Sequence, residues 1–249
     1  MKKILCSYST LNFKKSLDLL EKTALEIGKV DQAIMYDREW LETTDFYKKT
    51  KYILDKPKGA GYWVWKFPTI FNTLENANEG DIVMYVDAGV KVIDDLDSLF
   101  SVAQIKPFSP PVFFKLPVIG VPNHFIKTWT KRDCFVLMNA DESKYWNAGM
   151  VNAAISLWTK NQATIDFLNE YKKYLRDPRI ITDDINLCGK PNFLEFKDHR
   201  YDQSVLSIMA VKYNLELYRD PTQWGMAELD KFTNSPYGQL FHHHRNFKH

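Results

Sequence analysis

The chain has 249 residues, 45% of them hydrophobic, which is enough for one large α/β domain with an ample core. Its 33 basic and 31 acidic residues nearly cancel, so bulk charge recruits neither nucleic acid nor an anionic membrane. Three widely spaced cysteines, Cys6, Cys134 and Cys188, suggest neither a disulfide framework nor a CxxC metal site, and a reducing, cytoplasmic setting is expected.

The opening "MKKILCSYST" offers only Ile4, Leu5 and Cys6 as an apolar stretch, too short for a signal sequence, and reads as a first strand running into Ser7, Tyr8 and Ser9. Residues 13 to 27 follow with Leu17, Leu20, Ala24 and Ile27 at helical spacing. "QAIMYD" is a second short strand, ending at Asp37. "GAGYWVWK", residues 59 to 66, lacks the third glycine of a dinucleotide fingerprint, and no GxxxxGK[ST] occurs anywhere. Its Trp63 and Trp65 read most simply as core or sheet-cover residues, with a sugar platform as the sharper alternative. Pro68 suits the first turn of a helix whose apolar face is Ile70, Phe71, Leu74 and Ala77, and Gly80 suits a left-handed cap.

"DIVMYVDAGV" then gives five consecutive apolar residues that stop at Asp87. Without polar alternation the run predicts a strand covered on both faces, with the aspartate at its carboxyl end, where open α/β sheets bind ligands. Aspartate also caps turns, but Ala88 and Gly89 leave room for a ligand to approach the backbone. The alternation of strand and helix over the first ninety residues predicts a parallel sheet.

Beyond residue 100 the regularity weakens. Residues 107 to 122 read as a loop or edge region, "RDCFVLMN" as a strand, and 161 to 175 as an amphipathic helix through Ile165, Leu168, Tyr171 and Leu175. Lys115 and several prolines interrupt the weakly charged stretch from residue 107, so no integral membrane segment is expected. "YWNAGMVNAAISLW" places Asn147 among small residues, as a tight turn also would. "HRYDQSVLSIMAVKY" puts Asp202 ahead of a helical pattern, where an N-cap is the plain explanation. "FHHHRNFKH" gathers four of the six histidines with Arg245 and Lys248.

In this order, "YVDAG", "WNAG", "YDQSVLS" and "HHHR" resemble the motifs of GT-A fold glycosyltransferases, in particular the glycogenin-like and lipopolysaccharide galactosyltransferase-like group. "GYWVWK", "DAG" and "HRYDQS" also resemble a group of bacterial and viral sugar-transfer proteins. The resemblance covers most of the chain from about residue 60 onward, and one departure is Gly89, which stands at the second aspartate of the Asp-X-Asp motif.

The resemblance implies a single α/β domain over residues 1–249, GT-A and Rossmann-like, with a mostly parallel central sheet flanked by helices. Residues 1–100 would form the nucleotide-binding half, and 101–249 the acceptor-binding half and C-terminal tail. It implies a hexosyltransferase of polysaccharide biosynthesis, using a nucleotide-sugar donor, UDP-linked by default, and a glycan, lipid-linked or protein acceptor. Ser7, Tyr8 and Ser9 would lie beside the base and ribose, with Asp37 in the same pocket. Trp63, Lys66, Asp87, Ala88, Asn147, Ala148 and Gly149 would hold the donor, Arg245 its diphosphate, and Asp202 with Gln203 the anomeric centre. Mn²⁺ or Mg²⁺ would be bound by Asp87, His242 and His244. Retention and inversion both remain open. A different class is a sugar-binding or scaffold protein that keeps the fold without catalysis.

Overall fold

The computed structural model of the protein describes residues 1–105, 111–118 and 124–244. A six-stranded sheet has the order β2-β1-β3-β6-β5-β7, built from β1 (Lys3–Tyr8), β2 (Gln32–Tyr36), β3 (Ile82–Val86), β5 (Val112–Lys115), β6 (Val151–Thr159) and β7 (Leu217–Tyr218). The pairs β1–β2, β1–β3 and β5–β7 are parallel, and β6 runs antiparallel to both of its neighbours. The result is the mostly parallel, helix-flanked sheet that the strand and helix pattern predicts.

Side-chain alternation divides the interior into two layers. Ile4, Cys6, Tyr8, Val83 and Tyr85 enter one apolar cluster, while Leu5, Ile82, Met84 and Val86 enter the other. All five residues of β3 are buried, as a strand covered on both faces requires. The first layer is closed by α3 (Asp45–Leu54), α5 (Lys66–Glu75), α9 (Gln162–Leu175) and α11 (Tyr201–Lys212), with the shorter α2 (Arg38–Thr43), α7 (Arg132–Leu137), α8 (Ser143–Trp146) and α10 (Pro178–Ile181) around them. The second is closed by α1 (Lys14–Glu26), α6 (Asp97–Ile105) and a two-stranded ribbon of β4 (Val90–Val92) and β8 (Phe241–His243).

Three expectations are corrected. Residues 132–137, read as a strand, form α7, because the apolar run buries Cys134, Phe135 and, one turn on, Met138. A short apolar run does not distinguish a buried helical turn from a strand. Residues 112–115 are not an edge, since β5 lies between β6 and β7. Gly80 does take a positive φ of 84°, but in the turn entering β3 and not at the end of α5, which stops at Glu75.

The glycine-rich stretch before α5 is a left-handed turn, α4 (Gly59–Tyr62). Gly59, Ala60, Gly61, Tyr62 and Trp63 have φ of 56°, 51°, 99°, 54° and 60°. Each non-glycine residue here costs about 1–2 kcal/mol relative to right-handed geometry, so packing must hold the turn. A Cβ on Gly61 would stand 2.6 Å from the Leu54 Cα. We therefore expect Gly61→Ala to lower stability by about 2–4 kcal/mol, from the sum of strain and overpacking. A chemical denaturation midpoint equal to that of the parent chain would show that the turn can relax.

Candidate active site

Beyond the carboxyl ends of the parallel strands β1 and β3 lies a cavity of about 790 Å³. The β1 end contributes Tyr8, Ser9 and Thr10, the left-handed turn contributes Gly59, Ala60 and Trp63, and the β3 end contributes Asp87, Ala88 and Gly89. The start of β6 adds Asn152, Ala153 and Ala154, the entry to α11 adds Arg200, Tyr201, Asp202 and Gln203, and β8 adds His243. Trp65 stacks on Tyr8 with ring centroids 4.3 Å apart, and its indole N–H donates to the Gly59 carbonyl at 3.0 Å, which ties the turn to the β1 end.

Because α5 starts directly after this turn, its first residue, Lys66, is carried inward. Only 4% of Lys66 is exposed, and its Nζ donates to the Ala153 carbonyl at 2.9 Å. The same ammonium lies 3.2 Å from Asp87 Oδ1 and 3.2 Å from Asp202 Oδ2. At an effective dielectric of about 20, opposite unit charges roughly 3 Å apart attract by about 5 kcal/mol. Burial works against the Lys66 charge, but Asp202 and Asp87 outweigh it and hold its pKa above the usual lysine value.

Asp202 is the buried carboxyl of this group. Burial pushes its pKa up to about 6, the negative charge of Asp87 adds to the rise, and the Lys66 ammonium opposes both. It is not the N-cap of α11: Arg200 holds that position and Asp202 lies inside the first turn, its Oδ2 near Lys66 without a hydrogen bond of good geometry. Asp87 accepts a 2.5 Å hydrogen bond from the Tyr85 hydroxyl at the same oxygen that faces Lys66. Burial keeps that phenol protonated as a donor, its pKa lying well above the ordinary tyrosine value. Gln203 donates to the Val151 carbonyl at 2.7 Å, and His199 sits buried just before α11. The His199 Nδ1 accepts from the Lys131 amide, so Nε2 carries the proton and donates to the Ile180 carbonyl at 2.8 Å. Burial lowers its pKa to about 3, so it anchors the segment as a neutral ring.

The structure thus brings Tyr8, Ser9, Trp63, Lys66, Asp87, Ala88, Asp202 and Gln203 together around one cavity. Ser7 is fully buried behind it. Asp37 is instead the exposed N-cap of α2, accepting from the Trp40 amide at 2.8 Å. Asn147 is exposed at the end of α8, while Ala148 and Gly149 pair with Ile126 and Phe125, so none of the three lines the cavity. Their place is taken by the second Asn-Ala pair, Asn152 and Ala153. Asn152 donates to Asp220 at 2.6 Å and accepts from the Ala154 amide at 2.8 Å, which fixes the bend where β6 begins.

The histidine tract does fold back toward Asp87, as β8 pairs antiparallel with β4, and the His244 amide donates to the Gly89 carbonyl at 3.2 Å. Register sets which histidine faces the cavity. His243 opposes Val90 and lines it, whereas His242 opposes Lys91 and points toward Gln239. His244 is not among the lining residues, and Arg245 lies outside the described residues.

A divalent ion of the Mn²⁺ or Mg²⁺ type needs several hard oxygen donors in one place. Asp87 has one oxygen engaged by Tyr85 and Lys66, and Gly89 provides no side-chain ligand. Among the described residues, no group of three or more His, Cys, Asp or Glu side chains is arranged to hold a metal. The Lys66 ammonium also places a like charge beside any cation at Asp87. These residues do not fit a metal held by the protein alone.

No protein-family model matches the chain, and no curated protein matches it in sequence. Among solved structures, the apo form of mouse xyloside xylosyltransferase 1 matches with a TM-score of 0.53 and 9% identity, covering 99% of this chain and 98% of that one. The architecture is the GT-A fold. The apo form of the glycosyltransferase GlyE from Streptococcus pneumoniae TIGR4 matches with a TM-score of 0.43 and 14% identity, covering 98% of this chain and 54% of that one. Identities this low transfer no residue roles, so in this GT-A chain the site rests on its own geometry. Among the described residues no helix is long and apolar enough to cross a membrane.

Proposed function

We propose that this protein is a glycosyltransferase that moves a hexose from a nucleotide-diphosphate sugar, UDP-linked by default, to a hydroxyl of a glycan, a lipid-linked sugar or a protein. One observation carries the reading: the Asp87–Lys66–Asp202 cluster, with Lys66 and Asp202 buried and Asp87 partly exposed, opens into a large cavity at the carboxyl ends of the parallel strands of a GT-A fold. A carboxyl whose pKa is near 6 changes protonation close to neutral pH, which suits a group that either accepts the acceptor proton or faces a developing positive charge at the anomeric carbon. The aromatic pair Tyr8 and Trp65 forms the wall by which a nucleobase would enter, and Trp63 borders the sugar end.

A sugar-binding protein without turnover needs aromatic faces and hydrogen bonds, but has no use for a carboxyl and an ammonium, Asp202 and Lys66, kept at a burial cost. We propose the cytoplasm as its compartment, which accords with three free cysteines. The decisive experiment is incubation with a panel of nucleotide sugars and simple glycan acceptors, followed by chromatography of the nucleotide and sugar products. Release of nucleoside diphosphate with one donor is the expected result. Glycan binding with neither hydrolysis nor transfer of any donor would move the protein to the binding class.

A further inference from the structure

Resting on that reading, the arrangement of charge around the cavity identifies what meets the donor's diphosphate. Its two phosphates bring negative charge to a site that already contains Asp87 and Asp202, so cations are required. A protein-held divalent ion does not fit the donor set described above. Among the described residues, two fixed cations line the cavity, Lys66 and Arg200. Lys66 spends its contacts on Ala153, Asp87 and Asp202, and so cancels carboxylate charge in place instead of reaching outward.

Arg200 is differently placed. It is exposed at the entry to α11, its guanidinium lies 4.5 Å from the centre of the Trp129 ring, and among the described residues it forms no ion pair with a carboxylate. A guanidinium steadied on an aromatic face with its N–H groups unspent suits bidentate contact with phosphate oxygens. Its backbone is also fixed: the amide donates to the Trp129 carbonyl at 3.0 Å and to Ser204 Oγ at 3.1 Å. The first turn of α11, with its partial positive charge, lines the same side of the cavity and adds to the field.

We propose that Arg200 grips the diphosphate of the donor while Lys66 neutralises the carboxylates beneath it, so that donor binding needs no divalent ion. The probes are UDP, GDP and inorganic diphosphate, titrated calorimetrically into the full chain in EDTA and again in Mn²⁺. One nucleotide is expected to bind in EDTA with a Kd within about threefold of its value in Mn²⁺. Arg200→Gln, which removes the charge and keeps a polar side chain, is expected to weaken it about tenfold or more, the scale of a lost charge-assisted hydrogen bond. Circular dichroism and the thermal midpoint of Arg200→Gln should match the parent, as the side chain is exposed.

A gain of about tenfold or more on adding Mn²⁺, or undiminished affinity in Arg200→Gln, overturns this inference and leaves the transferase reading standing. If no nucleotide binds in either buffer and no nucleotide sugar is turned over, the transferase reading itself fails and this inference falls with it.

Discussion

Lys66→Met should cost about 3–5 kcal/mol of stability at pH 7, because it removes the cation from between two carboxylates and leaves Asp202 an uncompensated buried charge beside the partly exposed Asp87. Methionine fills nearly the same volume, so packing loss is small and the effect is electrostatic. The pH dependence separates this from a cavity effect. Asp202 already has a raised pKa from burial, and without Lys66 the cation that lowers it is gone, so its folded-state pKa rises further above the unfolded value. A group raised in this way takes up protons more readily in the folded state, so stability increases on acidification and is lost as pH rises. The deficit of Lys66→Met relative to the parent should therefore shrink between pH 7 and pH 5. Denaturation midpoints at both pH values check this, and a constant deficit would mean that Lys66 contributes through packing alone.

What was legible in the sequence follows from how local each signal is. β3 announces itself, since five apolar residues flanked by Asp81 and Asp87 read only as a strand buried on both faces. The helices α1 and α9 are equally plain from their apolar spacing. The left-handed turn was hidden, because Ala60, Tyr62 and Trp63 are poor candidates for positive φ and are held there by tertiary packing. Asp87 could be placed in the site from its position at a strand end. The Lys66 cluster could not be derived from spacing, since its partners come from different elements, β3 and α11.

Register decided the remaining differences. Two Asn-Ala pairs occur five residues apart, and only the start of β6 selects Asn152 over Asn147 as the one turned to the cavity. The same holds for the histidines: alternation along an extended segment was predictable, but its phase depends on β8 pairing with β4, which sets His243 against Val90. The Asp-Gln motif does not include Arg200, which stands two residues before Asp202. A basic residue directly before a helix that begins in the site is the signal that marks it.

Asp202→Asn should abolish most turnover while sparing the fold. Asparagine has the same shape and still presents an oxygen toward Lys66, but it neither accepts a proton nor carries charge. General-base or electrostatic roles of this sort are commonly worth about two to four orders of magnitude in rate. Stability is expected to respond in the opposite sense. In the parent chain the Asp202 pKa is about 6, above the ordinary aspartate value, so between about pH 4 and pH 6 the folded state binds more protons than the unfolded one. Stability therefore falls as pH rises through that window, by up to about 2–3 kcal/mol from this group. Asp202→Asn removes that slope, so its thermal midpoint relative to the parent should be higher at pH 7 than at pH 4. The Lys66 attraction is already contained in the value of about 6, so this gain is net of the lost ion pair. Thermal scans at the two pH values, run beside single-turnover assays with the preferred donor, keep the two roles apart. Retained turnover would remove Asp202 from the chemistry, and an unchanged pH slope would show that its carboxyl titrates normally.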